Sequence, residues 1–130
     1  MKTLLITGSR EYDNIAQIEN IFHQLKEEDP LEEWTLIHGG ARGADMLADH
    51  VARNMKWPQN IIKCLPDWNK HGKKAGIIRN SQMIENYQPH CAIAFHLNNS
   101  PGTKHCIGEL NKYRGQIDTK MKRPVIIVKE

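Results

Sequence analysis

The chain is poor in the features that signal covalent or membrane chemistry. Its 130 residues contain three cysteines, Cys64, Cys91 and Cys106, with no CxxC pair among them. That spacing excludes thioredoxin-type redox and zinc-ribbon motifs, and the apolar neighbours of each cysteine predict buried free thiols. No apolar run approaches the roughly 20 residues that span a bilayer. The opening stretch MKTLLITGSREYD turns charged by residue 10. Neither a secretory leader nor a membrane partner is therefore expected, and a cytoplasmic location is the default. Aromatic side chains make up only 6% of the chain, and the formal charge is +3. A mild positive balance suits an anionic ligand but falls short of the dense basic stripe of a duplex-DNA binder.

Standard motifs are missing too. The Walker A pattern GxxxxGK[ST] is absent, and the dinucleotide pattern GxGxxG would need glycine where His38 stands. Neither a P-loop NTPase nor an ordinary dehydrogenase is thereby supported. The seven histidines include no HxxxH or HExxH pair, so no metal site is expected and no cofactor is required.

What is present is an alternation of apolar runs and helical periodicities. Lys2 to Thr7 reads as a buried strand. Ile15, Ile18, Phe22 and Leu25 recur at helical spacing, with Asp13 or Asn14 as N-cap and Asp29-Pro30 as the stop. Thr35 to Ile37 predicts a second strand, and Ala44 to Met55 a second helix. Asn60 to Leu65 predicts a third strand, and Gly72 to Tyr87 a third helix. Cys91 to Leu97 is the fourth strand, Cys106, Leu110 and Tyr113 mark the last helix, and Pro124 to Val128 is the final strand. Short β-branched strands alternating with helices predict an α/β fold. The expected architecture is one doubly wound, Rossmann-like domain over residues 1–130, a parallel five-stranded sheet in order 3-2-1-4-5 with helices on both faces.

In such a sheet the loops after the strands share one edge, where ligands bind. Those loops are Gly8-Ser9-Arg10, His38-Gly39-Gly40-Ala41-Arg42-Gly43, Asp67 to Gly72, and Asn98 to Thr103. They gather glycine, hydroxyl and cationic residues, while the opposite loops (EEDPLEE, KWPQ, NYQPH, KMKRP) contain no glycine. In HGGARGAD, bare backbone at Gly39, Gly40 and Gly43 before a helix predicts a phosphate cradle, with Arg42 as a forked contact. A plain strand-to-helix turn is the alternative.

Within HGKKAGIIRNSQM, Ala75, Arg79 and Met83 stack at i, i+4, i+8, and Asn80 lies on a neighbouring row. An Arg-Asn pair beside an apolar stripe needs a partner. A phosphate, a base edge or a neighbouring loop would serve. Trp68 offers a stacking face or core packing, and His71 follows it. In NNSPGTKH, Ser100, Gly102 and Thr103 start a helix whose N–H groups suit an anion, unless Ser100 or Thr103 caps it.

Together, Gly8-Ser9-Arg10, HGGARGAD, Pro66-Asp67-Trp68, HGKKAGIIRNSQM and Pro101-Gly102-Thr103 resemble the SLOG superfamily over nearly the whole chain. Within it the resemblance is to the YspA-type group of small bacterial and phage proteins. The resemblance implies a Rossmann-like domain for a nucleotide or nucleotide-derived ligand of the NAD or ADP-ribose kind, and a homodimer. The related LOG phosphoribohydrolases use an arginine in an RKxxM-like segment and a glutamate in PGGxGTxxE. Arg79 and Met83 match the first motif, with Asn80 in place of lysine. In the second, the glutamate position falls on Cys106, and Glu109 lies about one turn further on.

The expected function is binding of such a ligand at the carboxyl edge of the sheet, as sensor, carrier or sequestering protein. Ser9, Arg10, Gly39, Gly40, Arg42, Gly43, Gly102 and Thr103 would hold phosphate. Arg79 and Asn80 would contact phosphate or ribose, and Asp45 would orient a loop or accept a ribose hydroxyl. An enzymatic alternative, a nucleotide N-glycosidase, would use Arg79 with Glu109 or Asp45. A second alternative, suggested by the superfamily's DNA-processing protein, is single-stranded nucleic-acid binding. It would require aromatic platforms in a basic groove.

Overall fold

The computed structural model describes residues 1–129. Five parallel strands form one sheet: β1 (Lys2–Gly8), β2 (Trp34–His38), β3 (Asn60–Lys63), β4 (Cys91–His96) and β5 (Ile126–Lys129). Their order is β3-β2-β1-β4-β5, the doubly wound order read from the sequence. Register is set by pairs such as Leu4 with Leu36 and Ile6 with Ile93.

Strand residues alternate strictly between two cores. Leu4, Ile6, Leu36, Ile93 and Phe95 face one side, against α1 (Ile15–Glu28) and α2 (Ala44–Met55). Leu5, Ile37, Ala92 and Ala94 face the other, against α4 (Ala75–Tyr87) and α5 (Pro101–Arg114). A strand buried on both faces must be apolar at every position, and β1, β2 and β4 read as continuous apolar runs for that reason. The alanines of β4 let α5 approach, and Cys106 and Leu110 pack there.

The local signals explain most boundaries. Asn14 caps α1 by accepting from the Gln17 N–H at 3.1 Å. Pro101 opens α5 at its first position, where its missing N–H costs nothing. Beyond shifts of one residue at the ends of β1, β2, β4 and β5, three boundaries differ from the sequence expectation. The segment expected as one helix from Gly72 is preceded by a short helix α3 (Trp68–His71), capped by Asp67, and a 3₁₀ turn at Gly72–Lys74. Gly72 adopts φ +58° and ends α3, so helix proper resumes only at Ala75. β3 stops at Lys63 instead of Leu65, whose side chain is exposed. β5 begins at Ile126, not at Pro124, because proline has no N–H for the ladder.

Two glycines hold the carboxyl edge together by close backbone approach. A Cβ on Gly8 would collide with the Ala44 Cβ and lie 2.8 Å from the Phe95 carbonyl oxygen. Gly43 has φ +79°, and a Cβ there would run into the carbonyl oxygens of Ser9 and Arg10. The α2 start is thus pressed onto the β1 loop, and the Ala44 N–H donates to the Ser9 carbonyl at 3.2 Å. Gly43→Ala must strain φ and displace backbone together. A loss of about 1–3 kcal/mol is expected, read as a fall in the urea midpoint at unchanged slope; a midpoint equal to the parent's would contradict this packing.

Candidate functional site

The loops after β1, β2, β3 and β4 converge on one cavity of about 740 Å³. Gly8, Ser9 and Arg10 line it from β1, and Gly39, Gly40, Ala41 and Asp45 from β2 and α2. Leu65, Pro66 and Trp68 line it after β3, Lys73, Ile77, Arg79 and Asn80 on the α4 side, and Ser100, Gly102 and Thr103 at the start of α5. The residues expected at the carboxyl edge are therefore largely brought together, with exceptions that have physical causes.

Ser9 is a fastener. It is 1% exposed, and its hydroxyl donates to the Leu97 carbonyl at 2.6 Å while accepting from the Leu97 N–H at 2.8 Å. Its N–H donates to the Phe95 carbonyl. The ends of β1 and β4, between which the strand order reverses, are clasped by this one side chain.

The HGGARG loop is organised by a carboxylate from its own helix. Asp45 Oδ2 accepts from the N–H of Gly39 at 3.2 Å and of Ala41 at 3.3 Å. The Gly40 N–H donates to His38 Nδ1 at 3.0 Å. Of the glycine N–H groups expected to cradle a phosphate, those of Gly39 and Gly40 are thus already bonded to protein acceptors. Arg42 points away, 74% exposed and 3.1 Å from Glu11, and neither it nor Gly43 lines the cavity. Gly39 is bare because the Arg79 guanidinium packs where a Cβ would sit.

Arg79 itself is largely engaged. Its Nη1 donates to the carbonyls of Gly39 at 2.6 Å and Cys64 at 3.3 Å, and its Nε to Asn80 Oδ1 at 3.0 Å. Asn80, buried, donates in turn to the Gly102 carbonyl at 3.4 Å. This pair braces the ends of β2 and β3 against the start of α5. The partner it needed beside an apolar stripe is the neighbouring loops.

Asp45 is 5% exposed, yet its Oδ1 has no hydrogen-bond partner. Burial pushes its carboxyl above the ordinary aspartate value, against the opposing pull of His38, the two loop N–H groups and Arg79. Glu109, the other expected carboxylate, does not reach the cavity. It lies 3.6 Å from His105 Nε2 and 3.5 Å from Lys112 Nζ, on the flank of α5. Cys106, at the position where the hydrolases carry glutamate, is fully buried, and burial pushes its thiol up to about 12, far from a thiolate.

His38 does not line the cavity, and neither does His71. His38 accepts from Gly40 at Nδ1, so its ring proton sits on Nε2 and donates to Asp49 Oδ2 at 2.7 Å. Burial raises the Asp49 carboxyl, but hydrogen bonds from Arg53 and His38 more than offset this and hold it below the usual range. Asp45, Asp49 and Arg53 stand four residues apart on one face of α2, a spacing visible in the sequence, and Asp49 bonds both Arg53 and His38. Lys73, Leu65 and Ile77 are further cavity residues that were not singled out. Among the described residues, no group of three His, Cys, Asp or Glu side chains is placed to hold a metal ion, and no helix is long and apolar enough to cross a membrane.

At the start of α5, Ser100 occupies the cap position without making a side-chain cap bond. The Thr103 hydroxyl donates to Ser100 Oγ at 3.1 Å instead. Among the described residues, the N–H groups of Gly102 and Thr103 have no acceptor, and a Cβ on Gly102 would meet nothing within 4 Å. This is an uncapped helix terminus facing open space, with the dipole's positive end toward the cavity.

The Asp45 geometry sets a stability test. A carboxyl whose folded value is raised favours the folded state below its unfolded value, and that contribution is lost as pH rises through the folded value. At neutral pH the charge is therefore a cost. Asp45→Asn keeps an oxygen for Gly39 and Ala41 and removes the charge, so its Tm at pH 7 should exceed the parent's, with the gain shrinking toward pH 4. Asp45→Ala should instead lose about 1–3 kcal/mol by orphaning two N–H groups. Thermal melts across that pH range check both signs.

Three similarities bear on this arrangement. A family model described as YAcAr, the YspA, cpYpsA-related SLOG family, matches residues 3–71. The Gene 61 protein of Mycobacterium phage D29 is 38% identical over 117 residues, spanning 86% of this chain and 90% of that protein. The X-ray structure of TM1055, a Northeast Structural Genomics Consortium target, superposes with a TM-score of 0.55 at 12% identity, covering 98% of this chain and 92% of that one. That likeness concerns the fold. The family match spans the β1 loop, the HGGARG loop and α3, and with the phage relative it settles the assignment: the chain belongs to the YspA, cpYpsA-related SLOG family.

Proposed function

We propose that the cavity binds a nucleotide or nucleotide-derived ligand, with its phosphate at the start of α5 and its base on the apolar rim. The observation that carries this reading is the uncapped α5 terminus, whose Gly102 and Thr103 N–H groups lack acceptors at the cavity wall. Anions bind such termini through N–H donors and the helix dipole. Arg10, exposed on the β1 loop, and Lys73 line the same cavity and add charge of the matching sign.

The opposite rim suits a base. Trp68 is 51% exposed and Ile77 49%, and both line the cavity with Leu65. Large apolar side chains left exposed around a concave site favour an aromatic ligand face, and an indole offers stacking. Trp68 does not pack in the core, so its retention at the mouth fits this use. Sensor, carrier and sequestering roles all follow from such binding.

A hydrolytic reading is favoured by one observation only, that Asp45 supplies a buried carboxylate with an unpartnered oxygen in the cavity. It would draw on Asp45 with Arg79, and not on Glu109. A single-stranded nucleic-acid role draws less support, because Trp68 is the one aromatic lining the cavity among the described residues.

The test combines thermal shift and mass spectrometry with AMP, GMP, ATP, NAD and ADP-ribose, and inorganic phosphate as control. Stabilisation by one or more of these nucleotides, with the compound recovered intact, is expected. Gly102→Asp should fold normally, since a carboxylate at a helix N-terminus is favourable, but it places negative charge where the phosphate sits. It should weaken binding by at least about tenfold, the equivalent of roughly 1.4 kcal/mol. Release of free base would move the reading to the hydrolase. No shift with any compound, or full binding by Gly102→Asp, would remove the phosphate site at α5.

A further inference from the structure

We infer that Asp45 recognises the ribose hydroxyls of the ligand, making the cavity selective for ribonucleotides over their deoxy counterparts. The inference rests on the nucleotide reading of the cavity and deepens it, and four observations lead to it.

The first is the orphaned oxygen. Asp45 is 5% exposed and lines the cavity, Oδ2 is fully used by the Gly39 and Ala41 N–H groups, and Oδ1 has no partner. A buried carboxylate oxygen without a donor is costly, and native structures keep few of them. A hydrogen-bond donor brought by a ligand would relieve that cost.

The second is sign. An ionised carboxylate repels phosphate and its free oxygen accepts, so a donor group of the ligand is the partner that suits Oδ1. The third is position. In strand order β3-β2-β1-β4, the apolar rim follows β3 and the anion end follows β4, three strand spacings or roughly 14 Å apart. Asp45 is tied to Gly39 and Ala41, at the end of β2, and so stands between the two ends. The group of a nucleotide lying between phosphate and base is its sugar. Ribose brings vicinal hydroxyls, which are good donors to one carboxylate oxygen.

The fourth is exclusion of the other carboxylates. Glu11 lines the cavity but is exposed and paired with Arg42, and Glu109 lies outside with His105 and Lys112. Arg79 is a donor and offers no acceptor, and its Nη1 and Nε already serve the Gly39 and Cys64 carbonyls and Asn80. Asp45 is left as the buried acceptor of the site. A charge-assisted hydrogen bond to a buried group discriminates strongly, because the analogue lacking the hydroxyl leaves the carboxylate unpaired.

The experiment uses titration calorimetry on the full chain with AMP, 2'-deoxy-AMP, 3'-deoxy-AMP and 2',3'-dideoxy-AMP, and with the guanine series in parallel. The parent protein should bind the ribonucleotide about 10- to 100-fold more tightly than the dideoxy form. Asp45→Asn, which keeps an acceptor for the loop, should bind the two forms within about threefold of each other. Should that variant fail to fold, the parent's own comparison of ribose and dideoxyribose still decides. Equal affinity of the parent for ribose and dideoxy forms overturns the inference while leaving the nucleotide reading intact. A ribose preference that survives in both Asp45→Asn and Asp45→Ala assigns it to another residue and likewise overturns it. Binding of none of these nucleotides removes the nucleotide reading, and this inference with it.

Discussion

A carboxylate held inside its own loop determines the shape of the sheet edge. Asp45 reaches back from the first turn of α2 to take the N–H groups of Gly39 and Ala41, so the chain leaving β2 must curl under the helix it is about to enter. That curl presents the Gly39 carbonyl to Arg79, and Arg79 then draws the Cys64 carbonyl and Asn80 into the same cluster. Asn80 passes the connection on to Gly102. One buried charge thus positions the ends of β2 and β3 and the entry to α5. The cavity is what these connections enclose.

The glycines of HGGARG are best understood through the same contacts. Bare backbone after a strand invites a ligand in principle, yet here each glycine yields to a protein neighbour first. Gly39 makes room for Arg79 and Gly43 for the β1 loop, while Gly40, at φ +73°, leaves space that Leu65 and Lys63 fill. The N–H groups left open at this edge lie instead across the sheet, at α5. There Ser100 makes no side-chain cap bond and two N–H groups stay open. A loop dense in glycine and a helix start with one glycine look unequal in sequence. Their roles follow from which N–H groups find acceptors.

The fold was legible because burial on both faces leaves a plain record. The runs LLIT, TLIH and CAIAF could only be central strands of a covered parallel sheet, and the helices between them dictated the strand order. Boundaries were lost where a single residue overruled periodicity, as with Gly72 breaking α3 from α4 and Pro124 postponing β5. The site was legible as an edge and less so as a set of roles. Topology alone brought Arg10, Trp68 and Gly102 to one cavity. It did not reveal that Arg79 would be consumed by carbonyls, that Arg42 would turn to Glu11, or that Glu109 would settle on the outer flank of α5. Those outcomes depend on side-chain partners from distant segments, which spacing does not encode.

The distribution of unsatisfied groups finally bears on what the cavity is for. A fold selected for stability alone would cap α5 with the Ser100 side chain and bring a donor of its own to Asp45 Oδ1. Instead the chain leaves donors open at one end of the cavity and an acceptor open in its middle, with exposed apolar surface at the other end. Functional sites are where such local inconsistencies collect. The three are complementary to three parts of one kind of molecule, in the order in which that molecule joins them. A phosphate lacks the donors for Asp45, and a bare base lacks the charge for α5. On the proposed reading, one ligand that carries anion, hydroxyls and an aromatic ring in sequence satisfies the open groups together.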